Sequence, residues 1–181
     1  MRSSITRLRD IVPLRRLSAA KAMRVAEAQA DRLLRLCGVT EPPVGEAVIA
    51  GLPHLQIERV TPAKAQAAAQ WSHGRWLILI NGADTKRRQR FSLAHELKHI
   101  LDHPFVTILY RGRPELAEQV CDYFAACLLM PRRWLRQAWA EGVRDQHVLS
   151  RRFGVTPQAV KVRLLQVGLI EPTAWCLARE A

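Results

Sequence analysis

The chain has 181 residues, of which 49% are hydrophobic, so it can bury one sizeable core but is too short for a second large domain. Its formal net charge of +12 predicts attraction to acidic partners or to nucleic acid, without choosing between them. No apolar run is long enough to cross a bilayer, and the Arg-rich start lacks the apolar core of a secretory signal. These features favour a cytoplasmic protein without a membrane partner.

The composition divides the chain into three expected regions. Residues 1–20 are basic and are interpreted as a solvated N-terminal arm, residues 21–131 as the core, and residues 132–181 as a C-terminal helical unit. A helix is predicted over residues 21–37, because an apolar stripe recurs there at helical spacing before Gly38.

Three short strands are predicted after this helix. The first covers residues 55–60. Residues 76–80 form a continuous apolar run, Trp-Leu-Ile-Leu-Ile, which is typical of an inner strand. Residues 67–71 are expected at an edge, where an extended substrate could add as a further strand, although an ordinary capped edge fits equally well. The expected fold class is α+β, with a small mixed or antiparallel sheet.

The stretch from Arg90 to Asp102 contains the motif His95-Glu96-x-x-His99. Residues four apart on an α-helix lie one turn apart on the same face, so His95 and His99 can bind one metal ion together. Glu96 lies near the same side, where it can polarise a water instead of binding the metal. The alternative is a chance pair of histidines on an amphipathic helix, and this motif alone does not decide between the two.

A second half of the site follows on a helix predicted over residues 114–131, which is opened by one proline and closed before another. Glu118 and Asp122 lie one turn apart on it. Glu118 can complete a His, His, Glu ligand set and leave the fourth tetrahedral position for water, as catalytic zinc requires. Asp122 can accept the spare ring N–H of His95 and fix the orientation of that ring. Two correctly spaced half-sites favour Zn²⁺.

The run Arg-Phe-Ser-Leu-Ala-His-Glu-Leu-x-His, followed by Glu-x-x-x-Asp-x-Phe-Ala-Ala-x-Leu-Leu-Met-Pro, closely resembles the ImmA/IrrE family of zincin-like metallo-endopeptidases. The resemblance extends from about residue 26 to residue 170. Members of this family typically cut a partner repressor of the helix-turn-helix class and so release silenced genes. By resemblance, the catalytic base would be Glu96, and the metal ligands would be His95, His99 and Glu118.

One departure from the family pattern is Lys98, where members commonly have glycine. A lysine there is expected to add charge near the metal and to narrow the cleft. Residues 105–110 are expected to form a strand or an extended loop. At its end, Tyr110, Arg111 and Arg113 are candidates to approach the cleft and stabilise the oxyanion of a cleaved amide.

The four cysteines form no Cys-x-x-Cys pair. They are interpreted as reduced thiols, and neither disulfides nor a second metal site are expected. The four are Cys37, Cys121, Cys127 and Cys176.

Two basic features point to partners. Arg87 and Arg88 belong to a cluster at the predicted start of the metal helix, where positive charge opposes the macrodipole. This cluster either docks an acidic partner or is simply solvated. Residues 148–169 resemble a helix-turn-helix, with Gln158, Lys161 and Arg163 as candidate DNA contacts, although two short helices can also only pack on a core.

Together these patterns predict a zinc-dependent endopeptidase that cuts a protein partner, either a helix-turn-helix repressor or an antitoxin. The alternative is a non-catalytic toxin or regulator that keeps the metal for its structure. Such a protein would use its basic surface to bind nucleic acid or an acidic antitoxin.

Overall fold

The structure is a computed structural model, and it describes residues 3–61 and 67–171. It has the predicted α+β fold, with helices packed around a three-stranded sheet. A 3₁₀ turn, His103–Phe105, follows the helix that ends at Asp102. The strands are β1 (Leu55–Val60), β2 (Ala67–Ser72) and β3 (Arg75–Asn81). The α-helices are α1 (Ser4–Arg9), α2 (Ala19–Leu36), α3 (Ala47–Ala50), α4 (Lys86–Asp102), α5 (Val106–Leu109), α6 (Pro114–Leu129), α7 (Arg132–Ala140), α8 (Gln146–Phe153) and α9 (Pro157–Val167).

The sheet has the strand order β1-β3-β2. β1 pairs with β3 in parallel, and β2 pairs with β3 antiparallel, so the sheet is mixed. The apolar β3 is the inner strand, with Trp76, Ile78 and Ile80 buried, and β2 lies at an edge. Both predictions are therefore confirmed, because a strand buried by its neighbours needs apolar residues along its length.

The metal-motif helix lies between the sheet and α6. Thr85 caps the start of α4, where its Oγ1 accepts a hydrogen bond from the Arg88 amide at 3.3 Å. α6 packs against both α2 and α4, and its apolar residues are almost all buried. The core therefore holds α4 and α6 side by side, which brings the two predicted half-sites together.

The segment predicted as a solvated arm is instead packed from residue 4 onward. Ile5, Leu8, Val12 and Leu17 are buried in the core. Arg9 donates hydrogen bonds from Nη2 to the Ile100 carbonyl at 2.7 Å and from Nε to the Leu101 carbonyl at 3.2 Å. The high arginine content favoured the prediction of a solvated arm, but burial of these four apolar side chains stabilises the packed segment. Arg9 also supplies donors to two backbone carbonyls at the end of α4.

The prediction of a strand or extended loop over residues 105–110 is wrong. This stretch completes the 3₁₀ turn and forms α5, with Leu109 and Tyr110 buried. A short apolar run does not distinguish a strand from one turn of helix. The preceding Pro104 suits a helical first turn, because its missing N–H would have no partner there.

The C-terminal unit consists of α7, α8 and α9, and its buried residues belong to the same continuous core as α4 and α6. Thr156 caps α9, and its Oγ1 accepts a hydrogen bond from the Ala159 amide at 3.2 Å. Gly154 joins α8 to α9 with φ of 63°. A Cβ at Gly154 would lie 2.7 Å from Nη1 of Arg90, the end of a side chain that can shift, so it is the positive φ that requires glycine there. None of the helices in the described ranges is long and apolar enough to span a membrane.

Candidate metal centre

The cleft-facing side of α4 presents the two motif histidines one turn apart. The Nε2 atoms of His95 and His99 are 3.0 Å apart. Both side chains are partly exposed, at 17% for His95 and 34% for His99. Their nitrogen atoms therefore converge on one point that is open to the cleft.

α6 supplies a carboxylate to the same point. Glu118 Oε2 lies 3.2 Å from His95 Nε2, and Glu118 Oε1 lies 3.4 Å from His99 Nε2. Around a tetrahedral ion with bonds of about 2.0–2.2 Å, ligand atoms are about 3.3–3.6 Å apart. The three separations lie within a few tenths of an ångström of that range, so these residues fit a tetrahedral cation.

Asp122 lies one turn after Glu118 on α6 and binds the ring nitrogen of His95 that does not face the cleft. Nδ1 of His95 donates to Asp122 Oδ1 at 2.8 Å, which leaves Nε2 directed at the cleft. Burial lowers the pKa of His95, but the hydrogen bond and charge of Asp122, with Glu96 and Glu118 nearby, outweigh it and raise the pKa above its ordinary value. Three carboxylates thus face the two imidazoles within a strongly basic chain, which is an environment that attracts a cation.

Glu96 lies beside the histidines but is directed toward the edge of the sheet. Its side chain is 8% exposed, and burial raises its pKa, although the two histidines and an Ala69 backbone hydrogen bond lower it. The amide of Ala69 therefore holds this carboxylate from β2. His95, His99 and Glu118 together form the metal group. A buried carboxyl group with raised pKa next to this metal group has the properties of a general base.

Cys121 offers another donor close to the same point. Among the described residues, the ligand atoms of His95, His99 and Cys121 lie within 4.8 Å of one another. Cys121 is 1% exposed, and burial raises the pKa of its thiol. A thiol must lose its proton to bind a metal, and Glu118 already offers an exposed carboxylate beside both histidines. Cys121 and Cys127 are free and buried and Cys37 is free and exposed, while Cys176 lies outside the described residues.

The metal group opens into a cleft of about 1070 Å³. Its walls come from α2, α4, α6 and α9, together with Ala67 of β2. Among the lining residues, Met23, Phe91 and Val162 were not singled out from the sequence. Helical spacing could have found Phe91, which lies four residues before His95, but the other two are far from the motifs along the chain.

Lys98 does not narrow the cleft, contrary to the expectation from the sequence. It is 1% exposed and does not line the cleft. Its Nζ donates to Asp102 Oδ1 at 2.6 Å and to Gln29 Oε1 at 2.8 Å. The Tyr110 hydroxyl donates to the other oxygen of Asp102. The charge is therefore paired in the core, behind the metal group.

The oxyanion candidates are largely committed elsewhere. Tyr110 is 4% exposed, and its hydroxyl is bound to Asp102. Arg113 donates to the backbone carbonyls of Tyr110 at 2.9 Å and Leu17 at 2.7 Å, so it ties the segment before α2 to the start of α6. Arg111 is exposed, with a positive φ of 41°. Tyr110 and Arg113 are therefore structural, contrary to the prediction.

The candidate DNA and partner contacts separate into two groups. Arg163 is fully buried and donates to the Met130 carbonyl at 3.1 Å and to Glu27 Oε1 at 3.3 Å, so it cannot contact DNA. Lys161 is half-buried. Arg87 and Arg88 are exposed and line the cleft. The basic start of α4 therefore faces the same cleft as the metal group.

Comparison with known proteins agrees with this architecture. The fold is similar to a solved structure of a Mycobacterium tuberculosis transcriptional regulator, with a TM-score of 0.57 and 18% sequence identity. The alignment covers 77% of this chain and 46% of that protein, so the chain spans less than half the length of the regulator. No curated protein matches the chain. Residues 54–165 match the family Peptidase_M78, described as the IrrE N-terminal-like domain, and the chain therefore belongs to this family of metallopeptidase-like proteins.

Proposed function

We propose that the protein is a zinc-dependent endopeptidase. The carrying observation is that donor atoms of His95, His99 and Glu118 converge at separations of 3.0–3.4 Å at the wall of a large cleft. Membership of a metallopeptidase family supports the same chemistry. These three residues would hold the ion, and Asp122 would keep the His95 ring in its ligating orientation.

The chain's own residues account for the remaining steps of amide hydrolysis. A bound Zn²⁺ would lower the pKa of a water molecule and polarise the scissile carbonyl. Glu96 takes the proton from the attacking water and passes it to the leaving amine. Its burial beside the Ala69 amide keeps the carboxylate in one orientation for both transfers.

β2 provides a place for the substrate. It lies at the edge of the sheet and is linked to Glu96 through the Ala69 amide. An extended polypeptide can pair with such an edge through its backbone, and antiparallel pairing is slightly more stable than parallel. When a polypeptide binds in this way, its scissile bond lies next to the metal group.

The partner we propose is a transcriptional repressor of the helix-turn-helix class or an antitoxin. Support comes from the resemblance to ImmA/IrrE peptidases and from a structural neighbour that is itself a transcriptional regulator. Nucleic-acid binding is the alternative function, favoured by the net charge of +12. Burial of Arg163 removes one of its three candidate contacts on α9.

Metal content and cleavage test this proposal together. The wild type, Glu96→Gln and Glu118→Ala are purified, dialysed against zinc and analysed for metal by mass spectrometry. Each is then incubated with candidate repressor proteins of the helix-turn-helix class. We expect about one zinc per chain in the wild type and Glu96→Gln, less in Glu118→Ala, and cleavage by the wild type alone.

Glu115→Ala is the matched control, because it removes an exposed carboxylate from the same helix outside the cleft. It should retain both zinc and cleavage. Absence of metal from all the proteins would overturn the proposal. Full cleavage by Glu96→Gln would overturn the role of Glu96.

A further inference from the structure

The helix that a helix-turn-helix would place in DNA forms a wall of the metal cleft instead. Several residues of α9 and of the turn before it line this cleft at helical spacing. They are Val155, Thr156, Gln158, Ala159, Val162 and Gln166. A segment held against the metal group therefore contacts α9 directly.

Buried contacts fix this wall in place. Arg163 ties α9 to the end of α6 and to α2 through the Met130 carbonyl and Glu27. On the other side of the unit, Arg90 of α4 donates from Nη2 to the Phe153 carbonyl at 2.8 Å. The helix that carries the histidines therefore holds the end of α8, next to the turn that leads into α9, and this contact gives α9 a defined place relative to them.

The part of the cleft between α9 and the histidines is apolar. Phe91 and Ala126 line it from α4 and α6, and Met23 lines it from α2. Val162 faces them from α9 and is 42% exposed. When another apolar group covers an exposed large apolar side chain in a concave site, the free energy of the complex is lowered. This part of the cleft suits a bulky hydrophobic side chain.

Beyond the apolar part, the cleft becomes basic. Arg87 and Arg88 are exposed at the first turn of α4 and line the cleft there. Arg87 Nη1 donates to Ser150 Oγ at 3.4 Å, and Arg88 lies 3.6 Å from Asp84 with its side chain 54% exposed. Both side chains therefore bring exposed positive charge to this end of the cleft. An acidic side chain complements this end.

Helix geometry gives the spacing between these two parts and the metal group. Arg88 precedes His95 by seven positions, or about 10 Å at about 1.5 Å per residue. Phe91 precedes it by four, or about 6 Å. An extended chain advances about 3.3 Å per residue, so it reaches the apolar part within about two residues and the basic end within about three.

The polarity of β2 sets the direction. Ala67 pairs with Ile80 at the end of β3, close to the loop that leads into α4. Trp71 pairs with Trp76, whose ring centroid lies 5.0 Å from that of His103 after the last turn of α4. β2 therefore runs in the same direction as α4, from its basic start toward the metal group. A substrate paired antiparallel to β2 runs the opposite way. It passes the metal group first and the arginines afterwards, which places its acidic residue on the C-terminal side of the cut bond.

We propose that α9 and the first turn of α4 are the selectivity wall of this peptidase. The cleft takes an extended segment with a bulky apolar residue one or two positions after the cut bond and Asp or Glu about three positions after it. This inference rests on the proposed function, and it assigns to α9 substrate selection in place of DNA reading.

A randomised dodecapeptide library tests the sequence preference. Zinc-loaded protein is incubated with the library, and the cleavage products are sequenced by mass spectrometry. We expect enrichment of Leu, Ile, Phe, Val or Met one or two positions after the cut, and of Asp or Glu at about the third. Cleavage with no preference at these positions overturns the inference while the proposed function stands.

Charge reversal tests the basic end. In the best cleaved peptide, the acidic residue is kept or replaced by lysine. Arg87→Glu/Arg88→Glu should lower kcat/KM for the acidic peptide about tenfold and favour the lysine peptide, because the attraction between exposed opposite charges becomes repulsion. Glutamates suit the first turn of a helix, so the fold should be retained. Arg15→Glu/Arg16→Glu, an equal charge change outside the cleft, should match the wild type.

Val162→Trp tests the apolar part by filling it. It should lower kcat/KM about tenfold, in the range that pocket contacts supply. Val148→Trp is the control, because Val148 lies in the same unit with 39% exposure and outside the cleft. Equal activity of Val162→Trp and Val148→Trp overturns the role of α9.

Peptide binding by Glu96→Gln separates the two proposals. A fluorescein-labelled acidic peptide should bind Glu96→Gln, and the affinity should fall when Arg87→Glu/Arg88→Glu is added. If this pattern holds while the wild type cuts no peptide, catalysis is refuted and the selectivity wall stands. Absence of both binding and cleavage overturns both.

Discussion

The buried side and the cleft side of α4 both carry nitrogen-containing side chains, but these differ in whether the protein supplies their partners. On the buried side, the Lys98 ammonium has acceptors from Gln29 and Asp102, and it is 1% exposed. On the cleft side, nitrogen atoms of His95 and His99 lie 3.0 Å apart and are open to solvent. Charges paired inside the protein hold helices together. Donors that converge on one open point bind something else.

The largest expected effect is loss of activity on the cleft side. Glu96→Gln removes the proposed proton acceptor and should reduce kcat about 10²–10⁴-fold. The free energy of unfolding should not fall, because a neutral amide replaces a buried carboxyl group. Steady-state kinetics and urea unfolding measure the two quantities. A variant that loses stability and activity together would make Glu96 a structural residue.

On the buried side, the effect should fall on stability. Lys98→Met leaves the Asp102 carboxylate buried without its cation and should lower the free energy of unfolding by about 3–5 kcal/mol. Urea unfolding of the metal-free protein measures this loss. Lys21→Met, at an exposed lysine of α2, should change it by less than about 0.5 kcal/mol.

Replacing the whole buried group sharpens this test. Lys98→Met/Asp102→Leu/Tyr110→Phe leaves no unpaired charge and should recover much of the loss, because apolar replacements of buried ion pairs are often neutral. A loss below about 1 kcal/mol in Lys98→Met would mean that the buried pair does not stabilise the helix packing.

A smaller effect is expected behind the first histidine. Asp122→Ala removes the acceptor that lies 2.8 Å from His95 Nδ1. The affinity for zinc should fall about 10–100-fold, because the ring loses its fixed orientation. Competition with a chromogenic chelator measures the dissociation constant. Unchanged affinity, equal to that of Glu115→Ala, would remove Asp122 from the site.

The smallest effect is expected at Thr85, where α4 begins, because a helix cap stabilises the whole helix and not one of its sides. Thr85→Ala removes the side chain that accepts from the Arg88 amide. The free energy of unfolding should fall by about 1 kcal/mol. Thr85→Ser, which keeps the hydroxyl, should match the wild type in urea unfolding. A large change in zinc affinity without a change in stability would show that Thr85 acts on the cleft instead.

Local spacing made several features predictable. The four-residue separations of His95 and His99, and of Glu118 and Asp122, define a shared helical face wherever a helix forms. The apolar run of β3 required an inner strand, and Thr85 and Thr156 mark helix starts through contacts three residues away. Each of these depends on neighbours within about one turn, so the sequence by itself determined them.

Only the tertiary structure decided where the long basic side chains went. Lys98 pairs with Gln29, 69 residues away, and Arg163 pairs with Glu27, 136 residues away. Lys98 was expected in the cleft and Arg163 on DNA, yet both are buried. A long side chain can reach solvent or the core from the same backbone position, and the choice depends on a buried acceptor that the fold brings from a distant part of the chain.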